Sequence, residues 1–505
     1  MKVYWPIKLN PRAILILCLI TVSLIGLPIF FLKPGAVQPD VSAYLAIAQK
    51  VALGQGIDIS PESYYSSIFS LRSPAYPFLF LISFKLFGIS LSSALLITKL
   101  AAWGSYIVLF LLIRKLFNTW TGLASVALAA TSTYMVTFPA SLNNDQTMAF
   151  FMLLGLWLMV EAIERGSYKL ALLAGIVSGF GFLIKELAII WAPLPLYLIL
   201  GVPRWRKGNR FLCFLIYASG YVIPLGIWWL SYYLFTGNIF LVNRIPESLL
   251  TLLWLLVFVL ISGFLIYRLV LRRQSLEKWH FLYQKVASPA KRFSGLWVWV
   301  VWTIVTYIFT VGLANRTVFR FESLTEIPLR ISGFIAFFER RILPEHPLFQ
   351  FSYLGIAFLI LAINAIYIKR INKGTYALLL MILACVPQIL TAQITGAYEM
   401  SYRYLMHLYW TGYALLASAL VLVIEHVSRL VNFTYHQFFE SKHNVSPVFN
   451  GFIVLSLLVI GFQSCWDTAK DYEFTYPSPS NYNVQNVQLV SQWIKKNIPA
   501  GSNLA

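Results

Sequence analysis

Charge is what this chain has little of: Asp, Glu, Lys and Arg make up 11% of its 505 residues. Soluble domains carry about a quarter, so a single core wrapped in a charged surface is excluded. Cysteine is nearly missing as well. Cys18, Cys213, Cys385 and Cys465 show no pairing or metal-ligand spacing, and neither a disulfide framework nor a zinc site follows. No Ser-His-Asp or Cys-His pattern marks a covalent nucleophile. Neither half of the chain duplicates the other, whereas transporters normally use internal repeats and brief loops. Short alternating segments are also wanting, which excludes a membrane β-barrel.

What the chain does have is long apolar runs, recurring from Leu15 to Cys465, with 59% hydrophobic residues overall. About 20 apolar residues cross a bilayer, and in lipid only helices or closed barrels satisfy the backbone. The reading is an all-α polytopic membrane protein. Charged breaks and Pro/Gly clusters divide it into about thirteen spans, near 12–32, 90–113, 119–137, 145–163, 169–184, 187–202, 211–235, 248–270, 295–314, 350–368, 374–395, 404–424 and 448–464. The first run follows Lys2, Lys8 and Arg12 but lacks a convincing small-x-small cleavage site, so it reads as a retained span.

The net charge of +20 invites a nucleic-acid reading, but the basic residues sit mostly in short breaks between apolar runs. A positive-inside bias and contact with anionic membrane lipids explain them, and no nucleic-acid partner is expected. Arg114/Lys115, Arg165/Lys169, the Arg204–Arg210 cluster, Arg268 to Arg292 and Lys369/Arg370/Lys373 fall on one side. They predict a plasma or inner membrane protein with a cytoplasmic N-terminus and an outer C-terminus. Residues 315–349 disagree, because they would be outside yet hold Arg316, Arg320, Arg330, Arg340 and Arg341. An interfacial helix with its arginines at lipid headgroups is preferred there over recognition of an anionic acceptor.

The domain reading is a transmembrane unit over 1–464, with outer loops at 33–89 and 315–349, and a short outer tail at 465–505. Val41–Gly54 has helical spacing of Leu45, Ala48, Ala52 and Leu53. Pro77–Phe87 is too short to span and suits an interfacial helix.

Four stretches carry a resemblance: PDVSAYLAIAQKVALGQG (Pro39–Gly56), LRSPAYPFLFLISFKLFG (Leu71–Gly88), LLAGIVSGFGFLIKE (Leu172–Glu186) and YRYLMHLY (Tyr402–Tyr409). In order and spacing they resemble the GT-C fold glycosyltransferases that use polyprenyl or dolichyl phosphate sugars, in the branch of aminoarabinose transferases and protein O-mannosyltransferase-like enzymes. Two departures stand out. Many relatives pair two acids in the first loop, whereas Val41 follows Asp40; and Arg403-Tyr404 runs into Leu405-Met406-His407 where Leu-Pro is usual. Relatives often continue into an external domain, of which 487–505 resembles only the opening.

The resemblance implies transfer of a sugar from a polyprenyl or dolichyl phosphate donor to a lipid, protein or polysaccharide acceptor on the outer side, with inversion. Alternatives are transfer of an oligosaccharide block, ligase-like chemistry or, in another class, a transporter or lipid flippase. Asp40 is the first candidate for the base or metal ligand; its other reading is a helix cap. Asp145, in ASLNNDQTMAF, is the second, against a cap reading shared with Asn143 and Asn144. Glu62 and Asp58 are weaker substitutes for the missing second acid. Lys185 needs a partner, Glu186 or a lipid phosphate. Arg403 can grip two phosphate oxygens, with Glu399 as an internal partner, and Tyr404, Tyr44 and Arg72 complete the substrate set. His407 reads as a packed residue. A divalent cation held by Asp40 and Asp145, with Glu62 behind them, is the cofactor considered; no organic cofactor is expected. Sugar identity, acceptor and oligomeric state are open at this point.

Overall fold

The computed structural model describes residues 10–33, 39–56, 74–185, 188, 191–192, 194–201, 210–236, 360, 374–375, 377–378, 406–439 and 446–471. Every regular element among them is helical. In chain order they are α1 (Pro11–Gly26, continued as a 3-10 stretch over Leu27–Phe31), α2 (Pro39–Ala52), α3 (Ala75–Phe87), α4 (Leu91–Leu116), α5 (Thr119–Ala130), α6 (Thr133–Thr137), a 3-10 turn at Phe138–Ser141, α7 (Asn144–Arg165), α8 (Tyr168–Ile184), α9 (Leu194–Gly201), α10 (Arg210–Thr236), α11 (Met406–Phe439) and α12 (Ser446–Asp471). Six stretches are long and apolar enough to cross a membrane: Pro11–Phe31, Leu91–Leu116, Asn144–Arg165, Leu212–Ser231, Tyr409–Tyr435 and Phe449–Lys470.

Local chemistry sets the boundaries. Ser90, Asn118 and Ser167 cap α4, α5 and α8 by accepting from Ser93 N, Thr121 N and Leu170 N. Gly166, at φ 66°, takes the left-handed position that ends α7 and lets α8 begin almost at once.

Some expected spans are redrawn. The expected single helix over 119–137 breaks after Ala130, where the Thr131 hydroxyl donates to Leu128 O at 2.8 Å and the Ser132 hydroxyl accepts from Met135 N at 3.3 Å. Hydroxyls that take over backbone bonds offer the chain an alternative to helix. In place of a span over 187–202, the helix covers Leu194–Gly201; Pro195, its second residue, is compatible only with the first turn. The 404–424 and 448–464 spans run on, to Phe439 and Asp471. The expected spans at 248–270 and 295–314, nearly all of those at 350–368 and 374–395, the 315–349 loop and the tail beyond Asp471 lie outside the described residues.

α7 is the hub. Its apolar window is 78% buried inside the protein, against 22% for those of α10 and α12. It packs on α4 and α8; α8 packs on α10, while α4 packs on α5, which meets α11 and α12. The α8–α10 crossing is backbone against backbone. A Cβ at Gly175 would stand 2.0 Å from Tyr217 O, and one at Gly179 2.3 Å from Tyr221 O. Small residues permit such approach where lipid gives helices no hydrophobic reason to associate.

Charged side chains gather at the two ends of this bundle. At one end Lys115 bridges Glu161 and Glu164, each at 3.1 Å, and Arg165 Nε meets Glu161 at 2.7 Å. The other end holds α2, α3 and the start of α7. There, Lys99 Nζ donates to Phe30 O (3.0 Å) and Leu32 O (2.7 Å), and Lys85 Nζ to Ala52 O (2.9 Å). The carbonyls left open where the 3-10 stretch and α2 end are thus closed by lysines. Trp466 of α12 packs on Phe31 with ring centroids 5.4 Å apart, so α12 leaves at this end while α1 enters at the opposite one.

Candidate functional site

The start of α7 concentrates buried polarity. Asn143, Asp145 and Gln146 are fully buried and Thr147 is 1% exposed. Leu142 precedes them with φ 48°, a left-handed conformation rare for a residue with a Cβ, and it swings the chain from the 3-10 turn into the helix. Thr98 of α4 steadies that turn by donating to Pro139 O at 3.0 Å. Asn143 is the cap: its Oδ1 accepts from Asp145 N at 2.7 Å. The cap reading of Asp145 is therefore corrected, since its carboxylate is free for another partner.

That partner is Lys185, the residue closing α8. Its ammonium donates to Asp145 Oδ1, with side-chain exposures of 11% and 0%. Asn144 Nδ2 reaches Ile184 O at 3.4 Å beside it, tying the same two helix ends together. The sequence pointed Lys185 toward Glu186 or a lipid phosphate; the structure supplies a carboxylate forty positions upstream. A buried ion pair is costly to leave half-made, about 3–5 kcal/mol when one partner is removed.

Tyr76 links this pair to α2. It is fully buried, stands beside Thr147, and burial pushes its phenol up, with the Asp145 carboxylate adding to the rise. Its ring meets that of Tyr44 edge-on at 5.8 Å. Tyr44 lies one turn along α2 from Asp40, whose backbone forms the first turn of that helix. The cluster has polar capacity to spare: Asp145 Oδ2, Asn143 Nδ2 and Gln146 Oε1 are buried without a hydrogen-bond partner among the described residues, and Tyr76 Oη and Thr147 Oγ1 are buried beside each other. On the far side of α4, Gln146 Nε2 donates to Ser105 Oγ at 3.1 Å, and neighbouring Tyr106 packs edge-on against Trp410 at 5.4 Å. The first turns of α11 therefore enter at the level of Asp145.

Of the residues singled out by sequence, the structure brings Asp145 and Lys185 together and joins them to Tyr44 through Tyr76. Arg72, Glu62, Asp58, Glu399, Arg403 and Tyr404 lie outside the described residues, as do the side chains of Asp40 and His407. Tyr76, Thr147, Asn143 and Gln146 were missed; a polar run opening an apolar helix was the available signal. An apolar crevice lined by Met152, Leu156, Ser178, Trp191, Pro195 and Tyr217 lies further along α7, away from this chemistry.

Comparison with known proteins follows the same lines. Residues 72–229, which contain α3 to α8 and nearly the whole of the cluster, match the family described as dolichyl-phosphate-mannose-protein mannosyltransferase. The archaeal oligosaccharyltransferase AglB from Archaeoglobus fulgidus, solved with an inhibitory peptide and a dolichol-phosphate, superposes with a TM-score of 0.60 at 16% identity, over 97% of this chain and 59% of AglB. The fold is GT-C. The resemblance to lipid-phosphate-dependent GT-C glycosyltransferases is thus met by a family match and by a fold match. YkcB of Bacillus subtilis (strain 168), whose assignment as a mannosyltransferase is provisional, is 35% identical over 119 residues, 23% of this chain and 16% of YkcB. ArnT from Cupriavidus metallidurans bound to undecaprenyl phosphate aligns over 87% of this chain and 85% of that one, at 13% identity and a TM-score of 0.37. The chain spans 59% of the length of AglB and a small part of YkcB.

A divalent cation is a further question, since one AglB structure is a complex with Zn and sulfate. Among the described residues no three His, Cys, Asp or Glu gather, and the one carboxylate of the cluster already shares its charge with Lys185. The described residues alone do not fit a divalent cation.

Proposed function

We propose that this GT-C chain transfers a sugar from a polyprenyl or dolichyl phosphate donor to an acceptor hydroxyl or amide at the membrane face bearing Asp145. The observation that carries the reading is the buried Asp145–Lys185 pair at the head of α7, inside the stretch that matches the mannosyltransferase family and linked through Tyr76 to the helix whose first turn holds Asp40. An anionic lipid headgroup needs a cation near the membrane surface, and an acceptor needs a proton taken away; this end of the bundle supplies both kinds of group.

In this reading the acceptor attacks the anomeric carbon as the carbon–oxygen bond to phosphate breaks, which inverts that centre. Polyprenyl phosphate leaves with the bonding electrons, and a carboxylate receives the acceptor proton. Asp40 is assigned that proton, at the first turn of α2. Lys185 and Arg403 are assigned the phosphate, Lys185 as a point charge and Arg403 as a fork. Tyr44, Arg72 and Tyr404 are assigned to the sugar and phosphate. The membrane orientation follows the charge asymmetry of the loops, with the N-terminus cytoplasmic and the Asp145 end outside.

Purified protein incubated with a panel of polyprenyl-phosphate sugars, with products identified by mass spectrometry, tests the reading. Release of polyprenyl phosphate with a mass increase of one sugar on an acceptor supports it. Binding of no member of the panel overturns it.

A further inference from the structure

Asp145 holds Lys185, one of the two cations that the proposed function assigns to the donor phosphate. Lys185 carries a single ammonium on a flexible stem, and its charge is now spent on a buried carboxylate. Withdrawing it would ordinarily strand that carboxylate. Here, however, other buried polar groups share its end of the bundle. Asn143 Nδ2 sits in the same cap turn without a partner among the described residues, and the hydroxyls of Tyr76 and Thr147 are buried beside each other, with Tyr76 in the electrostatic reach of Asp145. The side chain of Lys185 is the outermost of these groups, at 11% exposure, and the residue itself has left the helix for extended backbone (φ −159°, ψ 128°).

We propose that Asp145 and the donor phosphate compete for Lys185: the lysine exchanges its carboxylate for the phosphate when polyprenyl phosphate binds, and the released carboxylate turns to Tyr76, Thr147 and Asn143. The inference rests on the functional reading above. Its consequence is that donor affinity is held down by Asp145 in the resting protein, and that the carboxylate is released only once the donor headgroup is seated.

The exchange makes a prediction of sign. Asp145→Asn keeps the side-chain shape and removes the competing charge, so polyprenyl phosphate should bind at least about fivefold more tightly, the low end of coupling between linked sites. Lys185→Met should bind it at least about fivefold more weakly, and adding Asp145→Asn to Lys185→Met should restore nothing. Affinity is read by titrating polyprenyl phosphate into purified protein, with thermal unfolding as the check on folding. Unchanged or weaker binding by folded Asp145→Asn overturns the exchange. Should that variant fail to fold, infrared difference spectra of the wild-type protein decide instead. Adding polyprenyl phosphate should shift a carboxylate band, and Lys185→Met should abolish the shift; a missing shift in wild type overturns the exchange. Wild-type protein that does not bind polyprenyl phosphate would overturn the functional reading itself, whereas binding without the Asp145→Asn gain overturns the exchange alone.

Discussion

Gly175→Ala is the perturbation whose size the structure sets most directly. The new methyl carbon would stand 2.0 Å from Tyr217 O, 2.7 Å from Tyr221 N and 2.9 Å from Gly220 Cα, all backbone atoms of α10. Ordinary contact begins at 3.4 Å, so the two helices must part by about 1.4 Å at the crossing. No side-chain rotation relieves the clash, and overpacking of this kind costs about 1–3 kcal/mol. The effect should reach the site as well. Lys185 is ten residues further along the same helix direction, about 15 Å at 1.5 Å per residue, and a displacement near 1 Å at a reacting group costs on the order of 100-fold in rate. We expect Gly175→Ala to unfold earlier in detergent and to lose about 10- to 100-fold in sugar transfer. Gly226→Ala on α10 is the control, because a Cβ there meets none of the described residues within 4 Å. Alanine in a helix gains about 0.5–1 kcal/mol over glycine, so this variant should be neutral or stabilised. Wild-type stability and activity in Gly175→Ala, or equal damage in Gly226→Ala, would refute the close-crossing argument.

Three further outcomes are expected. Asp40→Asn should fold and lose at least ~100-fold in turnover if its carboxylate receives the acceptor proton, a loss measured by product formation at saturating donor; near-normal turnover removes it from the chemistry. Arg403→Lys should weaken binding of polyprenyl phosphate although net charge is unchanged, because the two-point grip is lost; equal affinity would leave Arg403 as an interfacial charge. Lys99→Met should keep the packing of its stem but drop the bonds to Phe30 O and Leu32 O, destabilising the protein by about 1.5–3 kcal/mol. Lys99→Arg should recover part of that in thermal unfolding, and no loss in the methionine variant would show that water replaces the lysine.

The sequence carried the bundle further than it carried the contacts. Continuous apolar runs are a one-dimensional property, so α1, α4, α7 and α10 fell within a few residues of the expected limits. The break after Ala130 was less visible, because Thr131 and Ser132 look like ordinary polar residues until their hydroxyls are seen taking backbone partners. Lys185 was recognisable as a charge that needs a partner. Its partner was not recognisable, since forty residues and two helices separate it from Asp145, and only the antiparallel return of α7 and α8 through Gly166 brings their outer ends together.

That return also explains why Asp145 resisted assignment from the sequence. Three cap-forming residues in a row, Asn143, Asn144 and Asp145, are equivalent on paper. In the fold they divide the work: Asn143 closes the helix, Asn144 reaches the end of α8, and Asp145 faces the lysine. A single cap would have left the other two side chains to solvent, yet Asn143 and Asp145 are fully buried and Asn144 is partly so. Burying that much polarity at a helix end is destabilising unless something uses it, and several of its atoms have no partner among the described residues. The same accounting separates this end of the bundle from the opposite one, where Lys115, Glu161, Glu164 and Arg165 satisfy one another at the protein's edge. A purely structural staple resembles the second arrangement; a site awaiting a charged headgroup resembles the first.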